Sequence, residues 1–493
     1  MSQRQLVEIW PDVPAAHAQL VVSGLGADSR RVKPGDVFIA QRGLHQDARD
    51  FIVDVVAQGA VAVLAEQGQK WTSDSIVNGV PVLVVADLPA RLGEIAARFY
   101  GDPSRDMTVL AVTGTNGKTS VAHLLAGSLT ALGKKAAVLG TVGNGLYGQL
   151  QKSSHTTLDA IHLQKMFAEF RAQGVQYVAM EASSHGLAQG RLRGTHIHTA
   201  LFTNLSRDHL DYHGTMTAYA AAKSRLFAWP GLRAVVLNAD DAQFALQKLV
   251  LAPGVTCLSY SQRGLIQAEI QAERVSPSLR GLQLDVRTPV GSARLQSPLL
   301  GRFNVSNLLA VLGGLLSVGI ALPQAMKALA QVPAVPGRME CFGGDGLPVV
   351  VVDYAHTPDA LEKALLSLRE HTEGQLCCVF GCGGDRDKGK RPQMAVVAEH
   401  LADRVIVTSD NPRGEVPEDI IADIRAGFTA QAKIGVEADR RNAIRLAVLQ
   451  AAPSDIVLVA GKGHEEYQEI MNVRQLFSDV AEVKAALAAR RQA

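Results

Sequence analysis

At 493 residues the chain is too long for one core, and a prior of about 150 residues per domain divides it into three. Hydrophobic residues at 47% and charged residues at 19% describe an ordinary folded protein and exclude a disordered one. The net charge of +2 is spread without a long basic run or an aromatic-interleaved basic stripe, so nucleic acid is excluded as an expected partner.

The N-terminus carries Glu8 and Asp12 and no apolar h-region, so no signal peptide is expected. Apolar runs at 37–40, 61–65 and 82–86, with a helical stretch near 51–58, predict a small α/β domain over residues 1–88. The run 107–112 then reads as a strand, followed by Thr113-Gly114-Thr115-Asn116-Gly117-Lys118-Thr119-Ser120 and a helical pattern from about Ser120. A strand that turns into a helix through glycines aims backbone N–H groups and the positive helix end at an anion. The lysine adds a mobile charge for outer phosphates, and Thr119 offers a hydroxyl to Mg2+. Val112 stands where the common phosphate-loop pattern has glycine, so the loop is a variant. An ordinary turn containing Gly-Lys is the alternative, and the full order of strand, glycines, lysine, hydroxyls and helix weighs against it.

Further runs at 136–139, 177–180, 200–203 and 234–237 predict a parallel sheet wrapped by helices over residues 89–335. Within it, Gly143 to Gly148 fits a dinucleotide fingerprint, but polar residues 149–155 follow where a helix should open, so no NAD site is expected. Glu181 ends a strand inside Glu181-Ala182-Ser183-Ser184-His185-Gly186. A carboxylate there can reach Mg2+, and a solvated strand end is the alternative. His209 and His213 lie four apart with Asp208 and Asp211 close by. Without the glutamate of HExxH, a hydrogen-bonded loop is favoured over zinc, and one histidine can assist a second Mg2+. Lys223 reads as a helix-surface lysine. Asn304 or Ser306 caps the apolar helix 308–316, or an asparagine amide meets an adenine edge; both readings stay open. The uncharged stretch 308–322 is interrupted by glycine and shorter than the roughly 20 residues of a membrane span, so none is expected.

Pro333-Ala334-Val335-Pro336-Gly337 reads as a linker. Beyond it, strands at 349–352, 376–380, 404–408 and 456–460 alternate with helical segments, predicting a doubly wound domain over 336–493. Polar clusters follow these strands at Asp353 to Pro358, Gly381 to Arg391, Asp410 to Arg413 and Gly461 to Glu465. Strand carboxyl ends are where open α/β sheets bind ligands. The five cysteines lack CxxC pairing and are odd in number, which predicts free thiols and a cytoplasmic location.

Together, the loop Gly114 to Ser120, Glu181 to His185, Asn204 to Gly214, Lys223, Asn304 to Asn307, Pro336 to Glu340, Asp353 to Pro358 and Asp410 to Arg413 resemble the Mur ligases of bacterial cell-wall synthesis, over essentially the whole chain. The resemblance implies an α/β protein of three domains: a small N-terminal UDP-substrate domain, a central P-loop ATPase-type sheet, and a C-terminal Rossmann-like amino-acid-binding domain. It implies an ATP-dependent amide ligase of peptidoglycan precursor synthesis. That enzyme phosphorylates the D-glutamyl carboxylate of UDP-MurNAc-L-Ala-D-Glu and joins it to meso-diaminopimelate, with Arg413 as the discriminating residue. Lys118, Lys223, His209, Glu181 and Arg338 are then catalytic. Gly114, Thr115, Asn116, Gly117, Lys118, Thr119 and Ser120 hold ATP, Asn304 and Asn307 face adenine, and Arg338, Asp353 and His356 close the nucleotide site. Thr119 and Glu181 hold one Mg2+; Glu181, His209 and an N6-carboxylated (carbamylated) Lys223 hold a second. Ser29, His45 and Gln46 hold UDP, although Ala27 stands where relatives commonly have leucine. Thr156, Thr157, Ser184, Gln189 and Arg191 position the muramoyl dipeptide, and Arg386, Asp410, Asn411, Pro412, Arg413, Gly461 and Glu465 surround diaminopimelate. Small-molecule substrates and a monomer are implied. The rivals are a lysine-adding sibling, a folylpolyglutamate synthetase, and a nucleotide switch that binds without ligating. Asp410 to Arg413 weighs against the folate enzyme, and the dense polar edge of the third domain against the switch.

Overall fold

The computed structural model describes residues 3–43, 46–68, 70–153, 155–265, 267–430 and 434–492. The chain forms two compact units, Met1–Ala122 with Gly133–Leu237 and Asp241–Cys257, and His123–Leu132 with Asn238–Asp240 and Leu258–Ala493.

The first unit opens with a five-stranded sheet in the order Gly24–Gly26, Asp36–Ala40, Ala62–Glu66, Val80–Val85, Ser75–Val77, parallel except for the last strand. Against it packs the helix Leu88–Tyr100, whose Leu88, Leu92, Ile95, Ala96 and Phe99 recur at helical spacing and join Val37, Ile39, Leu64 and Val85 in one core. Gly101, in the left-handed region, ends that helix.

A larger sheet follows in the order Gln149–Gln151, Asn144–Leu146, Ala136–Leu139, Tyr177–Glu181, Thr108–Thr113, Thr199–Phe202, Ala234–Asn238. The last five of these strands are parallel. Thr108–Thr113 sits inside the sheet, and Val109 to Val112 are wholly buried, which explains its unbroken apolar run. The first two strands are an antiparallel hairpin, so the glycines at 143–148 serve its turns and no helix follows them. The predicted runs thus fall on observed strands, and the carboxyl ends of Thr108–Thr113 and Tyr177–Glu181 deliver the phosphate loop and Glu181 to one edge.

In the second unit the sheet order is Glu340–Gly344, Leu347–Asp353, Ile456–Ala460, Leu376–Phe380, Arg404–Val407, Ile434–Val436, all parallel but the first. The four polar clusters therefore share one edge, as expected. Two features were not predicted. Strands Ile270–Ser278, Gly281–Thr288 and Gly291–Ser297 form an antiparallel meander, and Tyr467–Ile470 with Val473–Leu476 forms a hairpin. One expectation is corrected. The helix Phe303–Ser317 begins earlier than the run 308–316, with Arg302 at its N-cap, so Asn304 and Ser306 lie inside it and cap nothing. Asn304 instead donates from Nδ2 to Leu300 O at 2.7 Å. Among the described residues no helix is long and apolar enough to cross a membrane.

Candidate active site

The phosphate loop is fixed by bonds to the segment after strand Thr199–Phe202. Asn116 N donates to Asn204 Oδ1 at 3.0 Å, Thr115 N to Asn204 O at 2.8 Å, and Thr203 Oγ1 to Asn116 O at 2.6 Å. Gly114 has φ +150°, and a Cβ there would collide with Thr203 Oγ1, so the close approach requires glycine. Lys118, at the start of helix Lys118–Ala131, donates to Gly114 O at 3.0 Å and Thr115 O at 2.8 Å.

Glu181 is 1% exposed and is held from three directions. It accepts from Thr119 Oγ1 at 3.0 Å, Thr141 N at 2.7 Å and Thr141 Oγ1 at 3.3 Å. Thr119 and Glu181 thus place hard oxygen donors side by side, a donor set suited to Mg2+ rather than to a soft metal. Among the described residues no group of three His, Cys, Asp or Glu side chains could hold a metal ion.

Lys223 departs from the sequence expectation. The expected surface lysine is 1% exposed on helix Met216–Ser224, donates to Gly114 O at 2.7 Å, and lies 4.4 Å from the centre of the Tyr219 ring. Burial, with Lys118 beside it, pushes its ammonium down to about 6, so at neutral pH it is largely an uncharged amine.

Lys118, Lys223, His209, Thr156, Thr157, Ser184 and Arg191 line one cavity of about 260 Å³, together with His155, Ser183 and His185. Arg191 donates to Thr157 O at 2.8 Å and grips Gln189 Oε1, whose amide reaches Tyr212 OH at 3.1 Å. Four of the five residues predicted for the muramoyl dipeptide line the cavity, and the fifth, Gln189, is bonded to one of them, Arg191. Ser29 and Gln46 do not line it, and His45 lies outside the described residues.

In the second unit, Asp353 accepts from Met339 N at 2.8 Å and Ala355 N at 2.9 Å. Burial raises its carboxyl against the opposing pull of Arg338. The Arg338 guanidinium stacks 4.8 Å from the Tyr354 ring, which also meets His356 and His464. Asn307 Nδ2 donates to Asn304 Oδ1 at 2.8 Å, and both amides are buried. His123, buried on the helix after the phosphate loop, has no hydrogen-bond partner at Nε2 among the described residues. Its ring is pushed down to about 4 by burial, with His464 and Arg338 adding to the effect.

The remaining predicted residues meet at the carboxyl edge of the same sheet. Asn411 donates to Glu465 Oε2 at 2.8 Å, and the wholly buried Lys462 donates to Asn411 Oδ1 at 2.9 Å and Glu465 Oε2 at 3.1 Å. Arg413 adopts φ +53°, donates from its guanidinium to Gly384 O at 2.7 Å, and flanks Gly383 with Arg386. The hairpin holds this loop, since Glu469 O accepts from Arg413 N at 2.9 Å and Gln468 Nε2 donates to Asp410 O at 2.9 Å. Thr141, Lys462 and His123 were not singled out from sequence. Only Thr141, just past a strand end beside that of Glu181, carried a positional signal.

Three family models match the chain: the Mur ligase family catalytic domain over residues 21–100, the Mur ligase middle domain over 112–315, and the Mur ligase glutamate ligase domain over 337–463. Two relatives named UDP-N-acetylmuramoyl-L-alanyl-D-glutamate--2,6-diaminopimelate ligase are similar over nearly their whole length. The one from Coxiella burnetii is 49% identical over 96% of this chain and 97% of its own. The one from Chromobacterium violaceum is 50% identical over 97% of each. The chain belongs to the Mur ligase family. A solved structure bearing the same enzyme name superposes on this Mur ligase with a TM-score of 0.79 at 40% identity, covering 99% of this chain and 100% of its own. MurF from Thermotoga maritima, solved in complex with ADP, shares the fold at a TM-score of 0.61 and 18% identity over 96% and 99% of the two chains. The three-domain α/β fold predicted from sequence is therefore that of the family.

Proposed function

We propose that this Mur ligase is the ATP-dependent amide ligase that adds meso-2,6-diaminopimelate to UDP-N-acetylmuramoyl-L-alanyl-D-glutamate in the cytoplasm, in peptidoglycan precursor synthesis. The observation that carries the reading is full-length identity of about half to enzymes of that name. Lysine-adding and folate-type ligases and a nucleotide switch have no comparable support. Residues 1–88 bind the UDP part, through Ser29, His45 and Gln46; residues 89–335 bind ATP, and residues 336–493 bind the amino acid.

A carboxylate is a poor electrophile, so the enzyme first transfers the γ-phosphoryl group of ATP to a D-glutamyl carboxylate oxygen, releasing ADP. The amine nitrogen of diaminopimelate then attacks the acyl carbon, phosphate departs with the C–O electron pair, and a proton leaves the nitrogen. Phosphoryl transfer brings anions together, and catalysis rests on positioning and positive charge. Lys118 and the loop amides meet the phosphates, while Arg191, with Thr156, Thr157, Ser184 and Gln189, orients the dipeptide. Thr119 and Glu181 would hold Mg2+, and Glu181, His209 and Lys223 a second ion, neutralising charge at the transferring group. The Lys223 amine, uncharged at neutral pH, is able to add CO2 with release of a proton and become an anionic carbamate, which sets a negative charge beside the Lys118 cation. Asn304 and Asn307 serve adenine, and Arg338, Asp353 and His356 close the nucleotide site. Asp410, Asn411, Pro412, Arg413, Arg386, Gly461 and Glu465 receive diaminopimelate.

The test is phosphate release by the purified protein with ATP and Mg2+. Release is expected only when UDP-muramoyl dipeptide and diaminopimelate are both present, and equal release with lysine, or without the dipeptide, overturns the assignment.

A further inference from the structure

Arg440 and Asp479 are among the charged side chains with no exposure at all, and neither belongs to any motif recognised in the sequence. Arg440 opens the helix Arg440–Gln450 and Asp479 the helix Asp479–Gln492. The pair is bidentate, with Nε to Oδ1 at 2.7 Å and the second guanidinium nitrogen to Oδ2 at 2.8 Å. The guanidinium makes two more bonds, to Ser409 O at 3.2 Å and Ala460 O at 2.9 Å.

Those two carbonyls belong to strands that do not touch. Ala460 ends strand Ile456–Ala460 and Ser409 follows strand Arg404–Val407, with Leu376–Phe380 between them in the sheet. Strands two places apart are about 9.6 Å from one another, and no ladder hydrogen bond connects them. Past the end of the middle strand their loops converge. Gly461 has φ +122°, and a Cβ on it would collide with Asp410 Oδ2, an atom that is buried and has no hydrogen-bond partner among the described residues. Burial works against the charge on Arg440, but Asp479, Asp410 and Glu465 hold the guanidinium more firmly charged than usual. A planar five-donor fork can serve a carboxylate and two carbonyls at once, whereas a lysine ammonium cannot reproduce that fixed geometry.

We infer that Arg440, oriented by Asp479, is a positioning residue for the amino-acid substrate: it clamps the Ser409 and Ala460 carbonyls and so sets the gap between the Asp410-Asn411 loop and the Gly461 to Glu465 loop. The inference rests on the proposed diaminopimelate ligase activity. Its expected mark is kinetic, because a clamp on these two loops governs the amino acid and leaves the phosphate loop alone.

The test compares the parent enzyme, Arg440→Lys, and the charge-free pair Arg440→Met with Asp479→Leu, each checked for folding by thermal unfolding and circular dichroism. The parent must first show phosphate release dependent on diaminopimelate; failure there removes the activity assignment and says nothing against the clamp. In both variants the expected result is a KM for diaminopimelate raised at least tenfold with the KM for ATP within twofold of the parent. The double variant is the more informative, since it removes the buried charges together and separates lost stability from lost positioning. Folded variants with unchanged KM for diaminopimelate, or with KM for ATP and diaminopimelate raised equally, overturn the proposal.

Discussion

The proposed chemistry leans most on three basic side chains, Lys118, Lys223 and Arg413, and each can be removed singly. Lys118→Ala deletes a half-buried charge that bonds loop carbonyls. A contact to developing charge is worth on the order of 3 to 4 kcal/mol, so kcat should fall by about 10² to 10³ with little change in Tm. More than about a tenth of parental activity in that variant would exclude the role. For Lys223, a structural amine and a carbamate predict different series. If the carbamate is used, Lys223→Ala is inactive and Lys223→Glu partly active, because glutamate restores an anion on a shorter arm. Full activity of the alanine variant, with mass spectrometry of the native parent showing an unmodified side chain, counts decisively against the carbamate. Arg413 is expected to pair the second carboxylate of diaminopimelate with two parallel bonds, and a site built for a polar group rejects an analogue lacking it by about 10⁴. Arg413→Ala should therefore lose kcat/KM with diaminopimelate and change little with lysine. Equal losses for both amino acids would mean that its positive φ and its bond to Gly384 merely shape the loop.

At the scale of elements, the helix Lys118–Ala131 carries a buried titratable group that leaves a pH signature. His123 protonates near pH 4 in the folded chain and near 6.5 when unfolded. Above pH 6.5 both states are neutral there and folding is not penalised. As pH falls from 6.5 towards 4, the unfolded chain takes a proton that the folded chain refuses, and stability is lost, on the order of 3 kcal/mol by the end of the window. Urea unfolding at pH 7.5 and pH 4.5 should show a smaller loss in His123→Gln than in the parent, and equal losses would refute the assignment. The same scale explains what was legible beforehand. Parallel strands buried on both faces announce themselves as apolar runs, and glycines and lysine after such a run announce a phosphate loop. The hairpin 467–476 gave no such signal, because its turn uses Met471 and Asn472 at positive φ instead of glycine, and four of its strand residues, Gln468, Glu469, Arg474 and Gln475, are polar. Lys223, Lys462 and Arg440 were illegible for another reason. Nothing in a neighbouring residue tells a buried cation from an exposed one; each of the three has a hydrogen-bond partner on a segment tens of residues away.

Over the whole molecule, the five cysteines are free, and Cys377, Cys378 and Cys382 are buried in the second unit. Burial pushes the Cys377 and Cys382 thiols up to about 11 and about 12, and the Cys378 thiol higher still. Thiolates are the reactive form, so a thiol reagent at pH 7.5 should label at most two sites rapidly in the native chain and all five in guanidinium. Rapid labelling of four or more in the native protein would contradict the burial. The second-unit sheet also has a consequence in time. Strand Ile456–Ala460 lies between Leu347–Asp353 and Leu376–Phe380, which do not pair with each other. A ribosome releases the two flanking strands first, with their facing edges unpaired, and the slot closes only after about eighty further residues have emerged. During that interval the nascent chain carries two open, largely apolar β edges, the condition under which chains pair with one another. The last third of translation is therefore the period in which chaperone occupancy should matter most to the yield of this enzyme.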